Sequence, residues 1–222
     1  MTETVTLERR DSLFILNLGD TENRFNFDSI SRLISLIDEV DAAAGDKALV
    51  TVATGKFWSN GLDLDWMQAN NINLADLVIA GQELFARILE AAYPTVAVIQ
   101  GHAYAAGGML ALAHDARFMR EDRGFLCFPE VNIGMIFTPG MQALLASKLT
   151  PQTAHQAMVL GRRYTPSEAE AAGMIDGTFA EDELLDRSLA YATSLVGKDP
   201  RVIRGIKEQL YASTLSLLRT AP

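Results

Sequence analysis

Glu130 is the one carboxylate in the stretch GFLCFPEVNIGMIF, Gly124 to Phe137, and no Lys or Arg lies within five positions on either side of it. Two readings are open from the local sequence. Glu130 is a solvated loop residue just after Pro129, as most glutamates are. Alternatively it is buried, its pKa rises for want of a cation, and it serves as a catalytic base. Two other segments bear on the choice. VTVATGKFWSNGLD and VAVIQGHAYAAGG each end an apolar strand in a glycine-containing turn. Such turns expose backbone N–H groups, and the second leads into a helix N-terminus, where N–H groups are free and the dipole favours negative charge. Ala105, Ala106, Gly107 and Gly108 are small enough for a ligand to approach the backbone. Each turn alone reads as close helix–strand packing. As a pair beside Glu130, they suggest an oxyanion site next to a base.

Other chemistries find little support. There is no GxSxG elbow and no GxGxxG or GxxxxGKS phosphate loop. His102, His114 and His155 form no familiar metal-ligand spacing and read as structural or surface residues, so no metal is expected. Cys127 is the only cysteine, which rules out an internal disulfide and points to a reducing, cytoplasmic setting. A formal net charge of −9 argues against nucleic acid as a partner but leaves room for a small phosphorylated ligand held by a few local cations. The start, MTETVTLERRDSL, does not read as a signal peptide, and LLRTAP does not read as a peroxisomal address. No apolar run is long enough to span a bilayer.

The elements that must position these residues follow from periodicity. With 222 residues, 49% hydrophobic and 21% charged, the chain supports one sizeable core. TVTLERRDSLFILNL reads as two strands around a turn at Arg10, Asp11 and Ser12. Asp28 or Ser29 could cap a helix with its apolar face at Ile30, Leu33, Ile34, Ile37 and Val40, stopped by Gly45 and Asp46. Ala48–Thr54 and Thr95–Gln100 read as buried strands, separated by a loop, GKFWSNGLDLD, and a helix clearest from Leu77 to Leu89. MLALAHD is a short helix, ARFM and FLCF are strands, and Thr138 with Pro139 opens another helix. Beyond Leu149 the pattern is helical over 152–160, 166–172, 182–196 and 200–218, with AGMIDG as a short extended piece. Strands alternating with helices up to about residue 140, then helices, define an α/β core with a helical C-terminal part.

GKFWSNGLDLD and AVIQGHAYAAGGMLALAHDARFM, followed by FPEVNIG and LGRRYTPSEAEAAGMID, resemble the crotonase superfamily, the enoyl-CoA hydratase/isomerase fold, from about Thr4 to Asp176. HAYAAGGMLALAHD and EDRGFLCFPEVNIG resemble the monofunctional Δ3,Δ2-enoyl-CoA isomerases of the plant peroxisomal type. The resemblance implies a spiral of repeated β-β-α turns, with residues 1–165 as the catalytic core and 166–222 as a helical region for oligomerisation. A homotrimer or a dimer of trimers would result. It implies an acyl-CoA thioester substrate in fatty-acid β-oxidation and no separate cofactor, coenzyme A being part of the substrate. Leu62 and Ala106 fall on the two oxyanion N–H positions, with Gly107 as an alternative to Ala106. Ser59, Asn60 and Leu62 would face the adenine, and Lys56 and Arg24 are candidates for the CoA phosphates.

Bifunctional hydratases of this superfamily carry two glutamates. Here the first position is Met109, and Glu130 fills the second. Hydration needs one group to activate water and another to deliver a proton, whereas isomerisation needs one base that removes a proton at C2 and returns it at C4. A lone carboxylate in a dry pocket suits that shuttle. The expected reaction is therefore conversion of a 3-enoyl-CoA to a trans-2-enoyl-CoA. Hydration, thioester hydrolysis and non-catalytic acyl-CoA binding are the alternatives. Trp58, Met67, Met109, Met135, Ile136 and Phe137 are candidates for an acyl pocket, and all but Met109 read equally as core. The C-terminal part is shorter than in many relatives.

Overall fold

The computed structural model describes residues 5–220. The readings of the N-terminal leader and of the C-terminal address fall partly on residues outside these, as do the outer ends of the segments 1–165 and 166–222.

A hairpin opens the chain, β1 (Thr6–Arg10) pairing antiparallel with β2 (Leu13–Asn17) around the expected turn, where Asp11 has φ +54°. Helix α1 (Phe27–Ala42) follows. Its cap is Asn26, not Asp28 or Ser29. The Asn26 side chain accepts from Ser29 N, and Ser29 Oγ accepts from Asn26 N, so Ser29 is the third residue of a capping box.

Three successive turns then each contribute one strand to each of two sheets. The first turn has β3 (Ala48–Val52), β4 (Phe57–Ser59), α2 (Leu64–Ala69) and α3 (Leu74–Leu89). The loop expected at GKFWSNGLDLD therefore contains a short strand and a short helix. The second has β5 (Thr95–Ile99), β6 (His102–Tyr104) and α4 (Ala106–Ala113), and the third β7 (Ala116–Arg120) and β8 (Leu126–Cys127). A 3-10 turn at Glu130–Ile133 leads to α5 (Pro139–Lys148), capped by Thr138 as expected. Helix α6 (Pro151–Met158), β9 (Arg163–Tyr164), α7 (Pro166–Ala171), β10 (Gly177–Phe179) and α8 (Glu181–Leu195) come next. The extended piece expected within AGMIDG begins only at Gly177. The last helix expected is two, α9 (Pro200–Leu210) and α10 (Ala212–Leu218), broken at Tyr211.

The large sheet has the order β1-β2-β3-β5-β7-β10, parallel except for β1, and the small sheet the order β4-β6-β8-β9, parallel except for β9. One strand per turn in each sheet is the spiral of β-β-α units that the family resemblance implied. The inner strands β2, β3, β5 and β7 are buried on both faces, which is why most of them read as apolar runs, whereas the edge strand β1 is largely exposed. One face carries the main core, with α1, α3 and α4. The other meets α8: Val50, Val98 and Phe118 pack with Leu184 and Ala192, with Leu189 and Val196 against them. Leu184, Leu189 and Val196 on α8 therefore cover the chain's own sheet and do not offer an apolar face for subunit contact. Leu185 stays exposed. Helix α10 packs on α3 and α5. No helix among the described residues is long and apolar enough to cross a membrane.

Candidate active site

The C-terminal ends of β4, β6 and β8 point to one place. The segments that follow them, at Gly61–Leu62, Ala105–Ala106 and Pro129–Glu130, meet around a cavity of about 340 Å³. That is within the usual range for a ligand pocket. Most of its wall is apolar, including Leu62, Leu64, Leu74, Val78, Ile133, Met135, Ile136 and Met141, with Asn60, Tyr104, Glu130 and Thr138 as the polar members.

Backbone pairing determines what the first turn offers. Phe25 N donates to Gly61 O and Asp63 N donates to Phe25 O, a parallel bridge between Phe25 and Leu62. In such a bridge the groups of residues 61 and 63 face Phe25, so the N–H of Leu62 points the other way, toward the cavity. Ala106 is the first residue of α4, where an N–H has no intrahelical partner. The two turns touch: a Cβ added at Gly61 would stand 3.1 Å from Ala105 Cβ and 3.3 Å from Ala106 N. Gly61 has φ +87° and Ala105 φ +47°. The alanine is held in a conformation that costs a non-glycine residue energy, as recurs at ligand clamps.

Gly107 sits one step behind this edge. A Cβ there would lie 2.5 Å from Ser59 O, so glycine is what lets α4 press against β4. Ala106 lines the cavity and Gly107 does not. Ser59 is fully buried, its Oγ donating to Asn23 O at 2.8 Å and accepting from Gly61 N at 3.2 Å. It braces the turn from behind. Asn60 lines the cavity, its side chain donating to Glu22.

Glu130 is 6% exposed, and its Oε2 is buried without a hydrogen-bond partner. Burial pushes its pKa up to about 7, with a local backbone hydrogen bond opposing in part. The 3-10 turn that carries it closes on Gly134, in the left-handed conformation at φ +70°, with Met135 N donating to Glu130 O. Glu130 is the sole carboxylate among the residues lining the cavity.

The other site candidates divide. Arg24 lies 2.5 Å from Glu22, 2.5 Å from Asp65 and 3.7 Å from Asp63, so its charge is committed to carboxylates of the chain. Lys56 is exposed at the start of β4, with Nζ over the Phe57 ring, at the opposite end of that strand from Gly61. Trp58 and Met109 are fully buried in the main core and do not line the cavity. Met67 and Phe137 are partly buried against that core and do not line the cavity either. Met135 and Ile136 do line it, Ile136 being 94% exposed. Leu64, Leu74, Val78 and Met141 were missed. Leu74 and Val78 lie one helical turn apart in the first half of α3, and helical periodicity alone does not separate apolar positions that face a cavity from those that face the core. Among the described residues no three His, Cys, Asp or Glu side chains are grouped to hold a metal.

Two free N–H groups beside one neutral-range carboxyl, in an apolar cavity, can hold a carbonyl oxygen while a proton is moved nearby. The enoyl-CoA hydratase/isomerase family matches residues 11–221. Enoyl-CoA delta isomerase 2, peroxisomal, of Arabidopsis thaliana is 35% identical, over 96% of this chain and 94% of its own. Enoyl-CoA delta isomerase 3 of the same plant is 34% identical, over 93% and 91%. A solved structure described as a probable enoyl-CoA hydratase of Mycobacterium tuberculosis superposes with a TM-score of 0.91 at 26% identity, covering 99% of this chain and 93% of that one. The chain belongs to the enoyl-CoA hydratase/isomerase family and is an enzyme of the crotonase superfamily.

Proposed function

We propose that the protein isomerises a 3-enoyl-CoA to the trans-2-enoyl-CoA by a proton shuttle on Glu130. The observation that carries this is the isolation of Glu130 as the one carboxylate of an otherwise largely apolar cavity. The thioester oxygen accepts from Leu62 N and Ala106 N. Ionised Glu130 removes a proton from C2, and the electrons move through C1 onto the oxygen, giving a dienolate. The protonated carboxyl then returns the proton at C4 as the oxygen's charge collapses back. The double bond has moved from C3–C4 to C2–C3, and nothing has been added or lost. The raised pKa suits both halves, because a carboxylate of ordinary pKa is too weak a base to take the C2 proton well, while an acid with a pKa near 7 still gives it back at C4. Asn60, which lines the cavity, and the backbone of its turn are the proposed contacts of the CoA portion, and Lys56 remains a candidate for a phosphate contact. Met135, with Leu64, Leu74, Val78 and Met141, would receive the acyl chain.

Product analysis tests this. Incubation with trans-3-hexenoyl-CoA is expected to give a conjugated thioester of unchanged mass, read by absorbance and mass spectrometry. Crotonyl-CoA is expected to gain no water, because the second carboxylate of a hydratase is replaced by core-buried Met109. A hydration rate matching the isomerisation rate would contradict the assignment. Hydration is the second reading, since 2,3-dehydroadipyl-CoA hydratase of Escherichia coli is 28% identical over 94% of this chain.

The assembly proposed is a trimer. Val202, Ile206 and Leu210 form an exposed apolar stripe on α9, in place of the α8 face that is used internally. Sedimentation at micromolar concentration is expected to show a species of three chains or a multiple of three; a monomer alone would contradict it. The buried, free Cys127 favours a reducing compartment. Imaging of the tagged protein in its host would separate cytoplasm from the peroxisome named for the Arabidopsis relative.

A further inference from the structure

Helix α4 presents its N-terminus to the thioester oxygen in the reaction proposed above, and its other end is built unusually. The C-terminal cap, His114, is fully buried. Its Nδ1 lies 2.8 Å from Leu110 O, a carbonyl that can only accept, so Nδ1 carries the proton and Nε2 accepts from Thr51 Oγ1. Burial holds the ring's pKa down at about 4, so the ring is neutral near pH 7, and that is what leaves Nε2 as the acceptor. The positive charge at this end comes from elsewhere. Arg117 Nη1 donates to His114 O at 2.8 Å, and Lys148 Nζ lies 3.4 Å from the same oxygen. Arg117 is held in place by Met174 O and Asp176. Lys148 comes from α5 and rests over the Tyr211 ring.

The side chains of α4 are apolar throughout and all eight residues are buried, so little solvent screens one end from the other. Cations at a helix C-terminus reinforce its dipole, and along eight residues the two ends are separated by about 12 Å. Anionic charge developing at Ala106 N would be favoured both by the dipole and directly by the cations.

We propose that Lys148 and Arg117 are positioning residues of the oxyanion site, acting through α4 to polarise the thioester carbonyl held at its far end. The inference rests on the reading that Leu62 and Ala106 hold that oxygen. Lys148 is the adjustable member. The charged groups facing it are Arg117 and Asp115 from the β7 segment, Lys207 from α9, and Asp176, with Tyr211 beside it. Lys207 is itself paired to Asp115 at 2.7 Å. Burial, then the neighbouring Arg117, brings Lys148 down to about 8. It is charged below that pH and discharges above it.

The test uses the full chain with [1-13C]hexanoyl-CoA as an unreactive probe and infrared difference spectra of its carbonyl. Wild type is expected to lower the carbonyl frequency relative to the free thioester, and Lys148→Met to restore part of the difference. Lys148→Arg should keep it. In turnover, Lys148→Met should lower kcat about five-fold, the size expected of a unit charge across that distance in a medium of intermediate polarity. KM should stay unchanged. The wild-type alkaline fall near pH 8 should be absent from Lys148→Arg, a comparison that serves if Lys148→Met folds poorly. An identical carbonyl frequency and pH profile in wild type and both variants would overturn the proposal alone. A wild-type carbonyl left at its free frequency would instead overturn the oxyanion site, and this inference with it.

Discussion

Glu130→Gln is expected to abolish isomerisation while leaving affinity for a CoA thioester nearly unchanged. The substitution keeps the shape of the side chain and removes the base. A general base contributes about 100-fold or more, and here one group takes the proton and returns it, so both halves of the reaction fail. The nucleotide end and the two N–H donors are untouched, so calorimetry with a saturated acyl-CoA should report binding close to wild type. Glu130→Asp should be impaired as well, since withdrawing the carboxylate by one methylene misplaces it by about 1 Å, enough to cost on the order of 100-fold.

Two pH effects accompany this. Glu130 acts as a base when ionised, so with a pKa near 7 the wild-type rate should rise as pH increases through neutrality. Stability should run the other way. A carboxyl whose pKa is raised on folding, from 4.5 to about 7, lowers stability as pH rises between those values. At pH 8 Glu130→Gln should therefore be more stable than wild type, by up to about 3 kcal/mol. A variant that loses activity while gaining stability would mark Glu130 as a functional group held at a cost. Retention of more than a tenth of the wild-type rate by Glu130→Gln would assign the proton to another residue.

The second large effect is expected from Gly61→Ala, which changes no chemical group at the site. Gly61 has φ +87°, and an added methyl would meet Ala105 Cβ and Tyr104 O at 3.1 Å and Ala106 N at 3.3 Å. The contacts are with backbone and with a short side chain, so the turns must separate by some tenths of an ångström. The added methyl also strains the turn's own backbone. Leu62 N and Ala106 N would no longer converge on one oxygen. Loss of one oxyanion donor costs about 10²–10³ in kcat, and a decrease of about 100-fold is expected here. Circular dichroism should show the fold retained. If Gly61→Ala turns over at the wild-type rate, the paired N–H groups are not what holds the oxygen.

Much of this site was readable from residue types. The strand–turn–helix repeat located the two turns that border the cavity, and the missing cation around Glu130 marked a carboxylate that proves to be buried, its Oε2 without a partner. What the sequence withheld was the direction of side chains from irregular segments. Trp58 and Leu62 lie four residues apart in one loop-like stretch, yet Trp58, within the short strand β4, is sealed in the core and Leu62, in the turn after it, lines the cavity. Met109 and Met135 are the same residue type and equally apolar in context, and only the buried position of α4 separates them. Arg24 was an attractive phosphate ligand until the fold brought Asp63 and Asp65 beside it, a pairing about forty residues apart that no local pattern carries. For α8, an apolar stripe tells that a face is covered but not by what. Here the cover is the chain's own sheet.

The central claim is that one carboxyl carries one proton from C2 to C4 in a largely apolar cavity. It is tested most directly by isotope transfer. A 3-enoyl-CoA bearing deuterium at both C2 positions would be converted in ordinary water in a single turnover, and the product examined by mass spectrometry and NMR. A shuttle on Glu130 predicts deuterium at C4 in a substantial fraction of the product, falling only as the buried carboxyl exchanges with solvent. Product with solvent hydrogen alone at C4, even at the shortest reaction times, would contradict the single-group mechanism.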